Sequence, residues 1–385
     1  MDAYNGAYLW TREVPDSSRL IASHDANPMC VDERHLYVAS GPECRVLDVA
    51  SGDTVRTLTG PRTDRHWGLV ATHGGYLLGT NQHPDASFNN VEAPNRQPLL
   101  YEPRCGRSRP IVSDNLFAVG RSDFRRVWEY TGGAILNPSV TVGRSRIFFV
   151  ESLNDAALNA EKGRVDMADF IEQDAYLVAL DLATGREEWR QPLDQKARFI
   201  LYLTYADDTL LCTTTYLEDE AAQPPIAIYD VSAWDPATGR RRWRTAMNSR
   251  ARVLPNTTDH NGSIQHPAAI GGGLYFNPWI THNVPICEIA TGRDVSDAEF
   301  GGSRRCMPFS ASERCLFFRE EVCKGYDTAD GRKVPLTMVS RPGCWITMLP
   351  AGGLLMMPEG SVGCICGYSM QTTIVLCPAA DGPAK

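Results

Sequence analysis

The cysteines are the residues of this sequence whose type and spacing could do chemistry. The chain has 12 of them, and most lie in its last quarter. Cys364 and Cys366 are separated by Ile365, so in a strand both side chains would point to one face with Cα atoms roughly 6.5 to 7 Å apart, at the edge of disulfide reach. A lone Cys-x-Cys lacks the second pair that a structural zinc site needs. The spacing therefore allows disulfides or buried thiols, and no metal ligands are predicted.

The compact catalytic motifs that spacing alone can reveal are missing from this sequence. It contains no Gly-x-Ser-x-Gly, His-Glu-x-x-His, Walker or Rossmann glycine pattern. Nothing therefore indicates a hydrolase, an NTPase or a nicotinamide-dependent enzyme. No residue is identified as catalytic.

A short turn phrase recurs along the chain and defines the elements that must position any site. It reads Asp-Leu-Ala-Thr-Gly at residues 181–185 and returns with small changes at five other places. The acidic side chain can accept hydrogen bonds from backbone N–H groups two or three residues on, and glycine supplies the positive φ that closes the turn. Structural roles in turns or packing are assigned to Gly6, Gly52, Gly185, Gly239, Gly292, Gly331, Trp10, Trp189 and Trp243.

The spacing of this phrase predicts an all-β fold. Clear neighbours are 39 to 54 residues apart, which suits one four-stranded antiparallel blade per repeat. We predict a seven-bladed β-propeller, with an eight-bladed ring as the alternative, and one domain over residues 1–385. Residues 2–14 contain an outer strand without partners, whereas residues 343–379 offer three strands and no fourth. Joining the N-terminal strand to the C-terminal blade would close the ring and remove its exposed edges.

Two long inserted loops interrupt the repeats. Residues 81–110 are polar and rich in proline, asparagine and arginine. Residues 152–173 have apolar residues spaced by three to four, which indicates one or two helical turns. Loops of this length in a compact domain are usually functional or disordered. Folded onto the disc, they would cover one mouth of the central channel.

A shared register places several side chains near one rim of the predicted channel. Counting ten residues back from the first apolar residue of a blade's second strand reaches the same depth in four blades. The first strand of a blade lines the channel, so these side chains could converge, although some can equally be packing or turn residues. The four positions are Trp67, Asn137, Cys306 and Cys344, and Gln265 or His266 lies within a residue or two of the equivalent place. The channel-rim binding candidates are therefore Trp67, Asn137, His266, Cys306 and Cys344.

The same register makes Cys306 and Cys344 equivalent positions on adjacent blades. Inner strands of neighbouring blades approach each other most closely near the axis, so this pair could clip the sixth blade to the seventh. Cys364 and Cys366 are the alternative partners. We predict at least one structural disulfide among these four cysteines.

Composition and charge exclude several classes of protein. The formal net charge is −8 and no basic run occurs, so binding to nucleic acid is disfavoured. No 18-residue apolar stretch exists, which excludes a transmembrane helix, and the first ten residues lack the regions of a signal peptide. The expected location is the periplasm or another extracytoplasmic space if the natural N-terminus lies upstream, and the cytoplasm if Met1 is the native start.

The turn phrase resembles the repeat of a known propeller family. Residues 180–185 followed by Trp189, with repeats at 235–243 and 2–10, are similar to the repeat of pyrroloquinoline quinone (PQQ)-like β-propellers. That superfamily includes the quinoprotein alcohol dehydrogenases and the propeller lipoprotein of the outer-membrane barrel assembly machinery. Residues 341–368 resemble the cysteine-bearing last blade of a group of bacterial PQQ-like repeat proteins.

The resemblance implies a propeller and leaves two functions open. Quinoprotein dehydrogenases carry adjacent cysteines beneath the quinone and a calcium or lanthanide ion held by Glu, Asn and Asp, whereas this sequence has no adjacent cysteines and no assignable ligand set. The favoured function is a non-catalytic binding or protein-interaction scaffold that recognises other proteins or a small ligand at one propeller face. The alternative is a dehydrogenase that uses PQQ with calcium, or a redox protein that uses its C-terminal cysteines.

Overall fold

Strands dominate the part of the chain that the structure describes. This computed structural model describes residues 2, 4, 6–17, 27–86, 109–219, 226–252, 266–276, 284–296, 307–320, 322–342, 346–358, 370 and 372–377. The described strands form six sheets in chain order, one of them nine-stranded. Within the same residues, no helix has the length and apolar character needed to cross a membrane.

Consecutive strands group into repeat units, which we number along the chain. Unit 1 comprises β1 (Met29–Val31), β2 (His35–Ser40), β3 (Glu43–Asp48) and β4 (Thr54–Thr59). Unit 2 comprises β5 (His66–His73), β6 (Tyr76–Gln82), β7 (Val112–Gly120) and β8 (Arg126–Tyr130). Unit 3 comprises β9 (Ala134–Leu136), β10 (Thr141–Gly143), β11 (Arg146–Ser152), β12 (Ala175–Asp181) and β13 (Glu187–Pro192). Between β11 and β12 lie two short helices, α1 (Asp155–Leu158) and α2 (Met167–Ile171).

The remaining units continue the same pattern. Unit 4 comprises β14 (Leu201–Ala206), β15 (Thr209–Leu217), β16 (Ile226–Trp234) and β17 (Arg241–Arg252). Unit 5 comprises β18 (Ala268–Ile270), β19 (Gly273–Tyr275) and β20 (Ile286–Glu288). Unit 6 comprises β21 (Ser310–Ala311), β22 (Cys315–Arg319), β23 (Cys323–Asp327) and β24 (Lys333–Thr337). Unit 7 comprises β25 (Leu349–Ala351), β26 (Leu354–Met357) and β27 (Ile374–Leu376).

Each unit is an antiparallel meander, and neighbouring units contact through their first strands. In unit 4, for example, the strand order is β14-β15-β16-β17. Contacts join β1 to β5, β10 to β14, β14 to β18, β18 to β21 and β21 to β25. Units 2 and 3 are also joined by β9, which pairs with both β7 and β11. Sheets that succeed one another in this way through their innermost strands are typical of a β-propeller.

The core lies between the faces of neighbouring units. Val46 and Leu58 of unit 1 pack in one cluster with Leu77 and Phe117 of unit 2. Because side chains alternate between the two faces of a strand, each inner sheet buries one face against the unit before it and one against the unit after it. The alternating apolar residues of the sequence therefore fill interfaces between units.

The turn phrase forms the expected hydrogen bonds. Asp235 Oδ1 accepts from the backbone N–H groups of Ala237 at 3.1 Å and Thr238 at 2.9 Å. Arg242 donates to the same carboxylate at 2.8 Å and, with the bonds from Thr238, lowers the pKa of Asp235 to about 2. The predicted positive φ at Gly185 and Gly239 is confirmed, because both glycines have φ of 67°.

Tryptophans dock three outer strands onto the turn of the next unit. Trp128, Trp189 and Trp243 lie on β8, β13 and β17, and an added Cβ on Gly185, Gly239 or Gly292 would meet the respective indole at 2.5 to 2.7 Å. Each indole N–H also donates to a backbone carbonyl of that turn: Leu182 at 2.8 Å, Pro236 at 3.1 Å and Ile289 at 3.1 Å. Glycine is needed here because only a residue without Cβ lets the indole approach.

The N-terminal segment makes the same docking contact with unit 1. Trp10 Nε1 donates to the carbonyl oxygen of Val49 at 2.8 Å, and an added Cβ on Gly52 would lie 2.6 Å from the Trp10 ring. Residues 6–14 belong to no strand, so the predicted pairing of this segment with the last blade is not seen among the described residues. The segment nevertheless approaches unit 1 as an outer strand approaches the next unit.

We expect the Trp10→Ala variant to lose about 2 kcal/mol in the free energy of unfolding, because it gives up both apolar burial and the hydrogen bond to Val49. Tyr8→Ala is the matched control, since Tyr8 is 78% exposed. Urea denaturation followed by tryptophan fluorescence measures both. Equal midpoints for the two variants would show that the docked N-terminus does not stabilise unit 1.

Candidate functional site

Two insertions leave the sheets at the same edge of units 2 and 3. The preceding strands β6 and β11 end at Gln82 and Ser152, and the chain returns to the sheets at Val112 and Ala175. The two edges adjoin because β9 pairs with a strand of each unit. We call the described part of these insertions the insertion rim: residues 83–86, 109–111 and 153–174.

The second insertion is folded and partly buried. Its predicted helical turns are confirmed as α1 and α2. Asn154 caps α1 by accepting from Ala157 N at 2.9 Å, and its Nδ2 group donates to the carbonyl oxygens of Phe170 at 3.1 Å and Gln173 at 3.0 Å. Asparagine is favoured at this cap position because its oxygen satisfies a helix N–H. One side chain therefore ties both helices together.

Arg164 joins the two insertions. Its guanidinium donates to the backbone carbonyl oxygens of Ala86 at 2.7 Å and Arg109 at 2.9 Å, which lie at the two ends of the described first insertion. A backbone bridge between Ile111 and Arg164 adds to this contact. Gly163 has φ of 67° and permits the close approach, since an added Cβ would stand 2.7 Å from the His83 side chain.

We expect Arg164→Ala to loosen the rim without unfolding the sheets, because it removes two charged hydrogen bonds between the insertions. Limited trypsin digestion should then cut the insertions several times faster, while the melting temperature changes little. Arg186→Ala, at an exposed turn position, is the control. Unchanged cleavage in Arg164→Ala would contradict the role of Arg164.

A buried polar group lies beneath the rim. Asn137 accepts from the Thr80 hydroxyl and donates to Gln82 Oε1, both at 3.3 Å, and thereby links unit 3 to unit 2. Gly68 makes room for it, because an added Cβ would lie 2.8 Å from Asn137 Nδ2. Buried amides need such partners, so this group fixes the relative position of the two units.

Glu151, on β11 of the same unit, is also buried. Its carboxylate accepts from Tyr130 Oη at 3.0 Å and from Gly133 N at 2.9 Å, and it forms an ion pair with Arg190. Burial, with a further contribution from the charge of Glu151, raises the pKa of Tyr130. Glu151 therefore acts as a fully engaged structural acceptor.

The structure places the channel-rim candidates as follows. Trp67 and Asn137 are both buried, at 3% and 2% exposure. Gly68, which follows Trp67 in the chain, lies close to the side chain of Asn137. Trp67 packs edge-on against Phe117, with ring centroids 4.9 Å apart. His266 is exposed and packs against Tyr202 at 4.7 Å. The other two rim candidates, Cys306 and Cys344, lie outside the described residues, as do Cys364 and Cys366. The disulfide among these four cysteines therefore stays a prediction.

Sequence reasoning missed the side chains that build this edge. Thr80, Gln82 and Glu151 end otherwise apolar strands, and Arg190 lies on an outer strand far away in sequence. A polar residue directly after a buried apolar run was the available signal, because such a residue must find a partner. The partner itself could not be read from the sequence.

The described residues show no grouped ligands for the calcium ion that quinoprotein dehydrogenases hold beside their quinone. Among them, no three His, Cys, Asp or Glu side chains are grouped closely enough to hold a metal ion. Buried Glu151 is already engaged by Arg190 and Tyr130. We therefore derive no chemical step through PQQ.

Solved structures that match this chain include the following three. BamB from Moraxella catarrhalis is 11% identical, with 85% of this chain and 80% of that chain covered and a TM-score of 0.47. A quinohemoprotein alcohol dehydrogenase from Pseudomonas putida HK5 is 15% identical over 90% of this chain and 52% of its own, with a TM-score of 0.42. A chain of a mitotic checkpoint complex is 10% identical over 93% of each chain, with a TM-score of 0.48.

Comparison with protein families identifies the repeats. A search of the curated proteins gives no match. The family model described as outer membrane protein assembly factor BamB matches residues 113–259, which include β7 through β17 and two of the turn phrases. Over residues 113–259, the chain is therefore similar to the family of the outer membrane protein assembly factor BamB.

Proposed function

We propose that this protein is a non-catalytic scaffold that binds a partner protein at the insertion rim. The observation that carries the proposal is the Arg164 contact, which joins the described parts of two insertions from different units. Long loops that are fixed on a rigid scaffold are common binding sites. The relation to an outer membrane protein assembly factor supports a role in protein interaction rather than catalysis.

The exposed side chains of the rim suit a protein surface. Leu153 and Leu158 flank the start and end of α1 and are 42% and 50% exposed. The charged residues Asp155, Glu161 and Lys162, which are close to them in sequence, are also exposed. An apolar centre with a polar border is the usual composition of a protein interface.

We further propose a closed seven-bladed ring in an extracytoplasmic setting. Units 1 to 7 would be the blades, and the N-terminal segment would complete the last one, which is supported by the docking of Trp10 on unit 1. Deleting residues 1–14 should then lower the melting temperature of the whole protein in a single transition. The extracytoplasmic location is supported by the relation to an outer membrane assembly factor, and fractionation of the native host tests it.

Photo-crosslinking tests the rim directly. A benzoylphenylalanine probe is placed at Leu158, and at Val334 of β24 as a control of similar exposure outside the rim. In the native host, the Leu158 probe should give one discrete adduct, identified by mass spectrometry and reproduced with the purified partner. Arg164→Ala should weaken that adduct. The same adduct from both probes, or none from Leu158, would overturn the proposal.

A cofactor assay separates the scaffold from the alternative enzyme. The purified protein is incubated with PQQ and calcium, and quinone absorbance and dye reduction with alcohols are measured. We expect neither signal above that of bovine serum albumin. Stoichiometric quinone binding with dye reduction would replace the scaffold by a quinoprotein dehydrogenase.

A further inference from the structure

The junction between units 1 and 2 lacks the tryptophan dock. At the three junctions that have this dock, the indoles of Trp128, Trp189 and Trp243 stand opposite an alanine of the adjacent strand. In unit 1 the equivalent position on β4 is Arg56, and it stands opposite Val46. Val46 and Leu58 belong to the cluster that packs against unit 2. Arg56 lies two positions before Leu58 on the same strand, so its side chain is on the face that is directed at unit 2.

The turn that should receive the indole has changed as well. Phe124 N donates to Gly120 O at 2.9 Å, as Gly185 N donates to Asp181 O at 2.8 Å, so Phe124 occupies the glycine position. Its φ is 56°, a conformation that is strained for a residue with Cβ. At this junction the docking position of β4 therefore carries no aromatic residue, whereas the turn of unit 2 carries Phe124.

A different contact holds this junction together. Arg121 Nε donates to Asp32 Oδ2 at 3.0 Å, and Tyr37 Oη donates to the same oxygen at 2.8 Å. The Phe124 ring packs edge-on against His35, with centroids 5.9 Å apart. Burial opposes ionisation of Asp32, but hydrogen bonds from Arg34, His35, Tyr37 and Arg121 hold its pKa well below the usual value. These contacts therefore join units 1 and 2, but they leave open the space that an indole fills at the three tryptophan junctions.

The space left is an open cleft of about 240 Å³. Its floor and sides include Arg56, Pro61, Phe117, Val119, Phe124 and Arg126. None of them belongs to the insertion rim. In volume and lining, the cleft can take one or two side chains of an incoming segment.

One wall of the cleft is the edge strand β4. In the described structure it pairs with β3 alone, and every residue except Leu58 is exposed. Its sequence, Thr-Val-Arg-Thr-Leu-Thr, is rich in β-branched residues that favour an extended conformation. A strand edge of this kind offers backbone donors and acceptors to an added strand.

The charge of the cleft selects its occupant. Arg56 forms no ion pair among the described residues, and Arg126 forms an exposed pair with Glu129 at 3.4 Å. Two cations thus flank the cleft in a protein whose net charge is −8. Electrostatic complementarity favours an acidic segment and disfavours a basic one.

We propose that the cleft between units 1 and 2 is a docking site for an extended acidic peptide of a partner protein. The peptide adds a strand to the edge of β4 and places a carboxylate between Arg56 and Arg126. The residues that line the cleft are not part of the insertion rim. A test of this site is therefore independent of the function proposed above.

Peptide binding tests the site on the full-length protein. The probe is a fluorescein-labelled peptide, Thr-Val-Glu-Val-Asp-Val-Thr, and its counterpart carries lysine at both acidic positions. Anisotropy should show saturable, salt-sensitive binding of the acidic peptide alone. The Arg56→Glu/Arg126→Glu variant should weaken it at least about tenfold. The control is Arg186→Glu/Arg240→Glu, which makes the same change of charge at exposed turn positions.

Refilling the cleft provides the second test. The Val46→Ala/Arg56→Trp/Phe124→Gly variant introduces the alanine, tryptophan and glycine that are found at the three tryptophan junctions. Because the new indole should fill the cleft, the melting temperature should rise and peptide binding should disappear. Equal binding of the two peptides, or no saturable binding of the acidic one, overturns the proposal. Retained binding in a folded triple variant does so too. Should that variant fail to fold, the charge-reversal pair decides, because both arginines are exposed.

Discussion

Gly185→Val is expected to cost about 3 to 5 kcal/mol in the free energy of unfolding. Two causes add. A φ of 67° is strained for valine, which accounts for about 1 to 3 kcal/mol, and the new Cβ would stand 2.5 Å from Trp128 and displace the docked indole, at a similar cost. Guanidinium denaturation followed by circular dichroism and fluorescence measures the change.

Gly331→Val is the matched control for the docking contribution. Gly331 occupies the same turn position with φ of 71°, but the nearest atom to its added Cβ is the Tyr326 hydroxyl at 3.9 Å. This variant should therefore show the backbone strain alone. If the two variants lost the same free energy, the indole of Trp128 would contribute nothing to the junction of units 2 and 3.

Arg190→Met should cost about 3 kcal/mol, because it leaves the carboxylate of Glu151 buried without its cation. Glu151 is 0% exposed, whereas Arg190 is 26% exposed, so most of the penalty falls on the acid. The loss should be largest at neutral pH. It should shrink as the pH falls, since a neutral carboxyl group needs no cation.

The double variant Glu151→Gln/Arg190→Met provides the control. Glutamine keeps acceptors and a donor at the same place without charge, so most of the lost stability should return. Thermal denaturation of the three proteins between pH 5 and 8 tests this. An Arg190→Met loss that is independent of pH, or not relieved by glutamine, would show that the charge of Glu151 is not its origin.

The sequence by itself determined the strands, the turns and the repeat. Runs such as 36–38, 146–150 and 176–180 lie in β2, β11 and β12, and the turn acids make the bonds that their spacing predicts. The helical turns of the second insertion were also predictable. These features depend on residues within a few positions of one another, where backbone preference and side-chain alternation act directly.

The tertiary structure alone decided which residues meet. Arg164 reaches Ala86 across 78 positions, and Arg190 pairs with Glu151 from an outer strand. Phe124 in the glycine position of its turn and Arg56 in place of a tryptophan have meaning only once both residues line one cleft. Burial, charge pairing and the space between units are properties of contacts between distant segments, and residue spacing along the chain carries no measure of them.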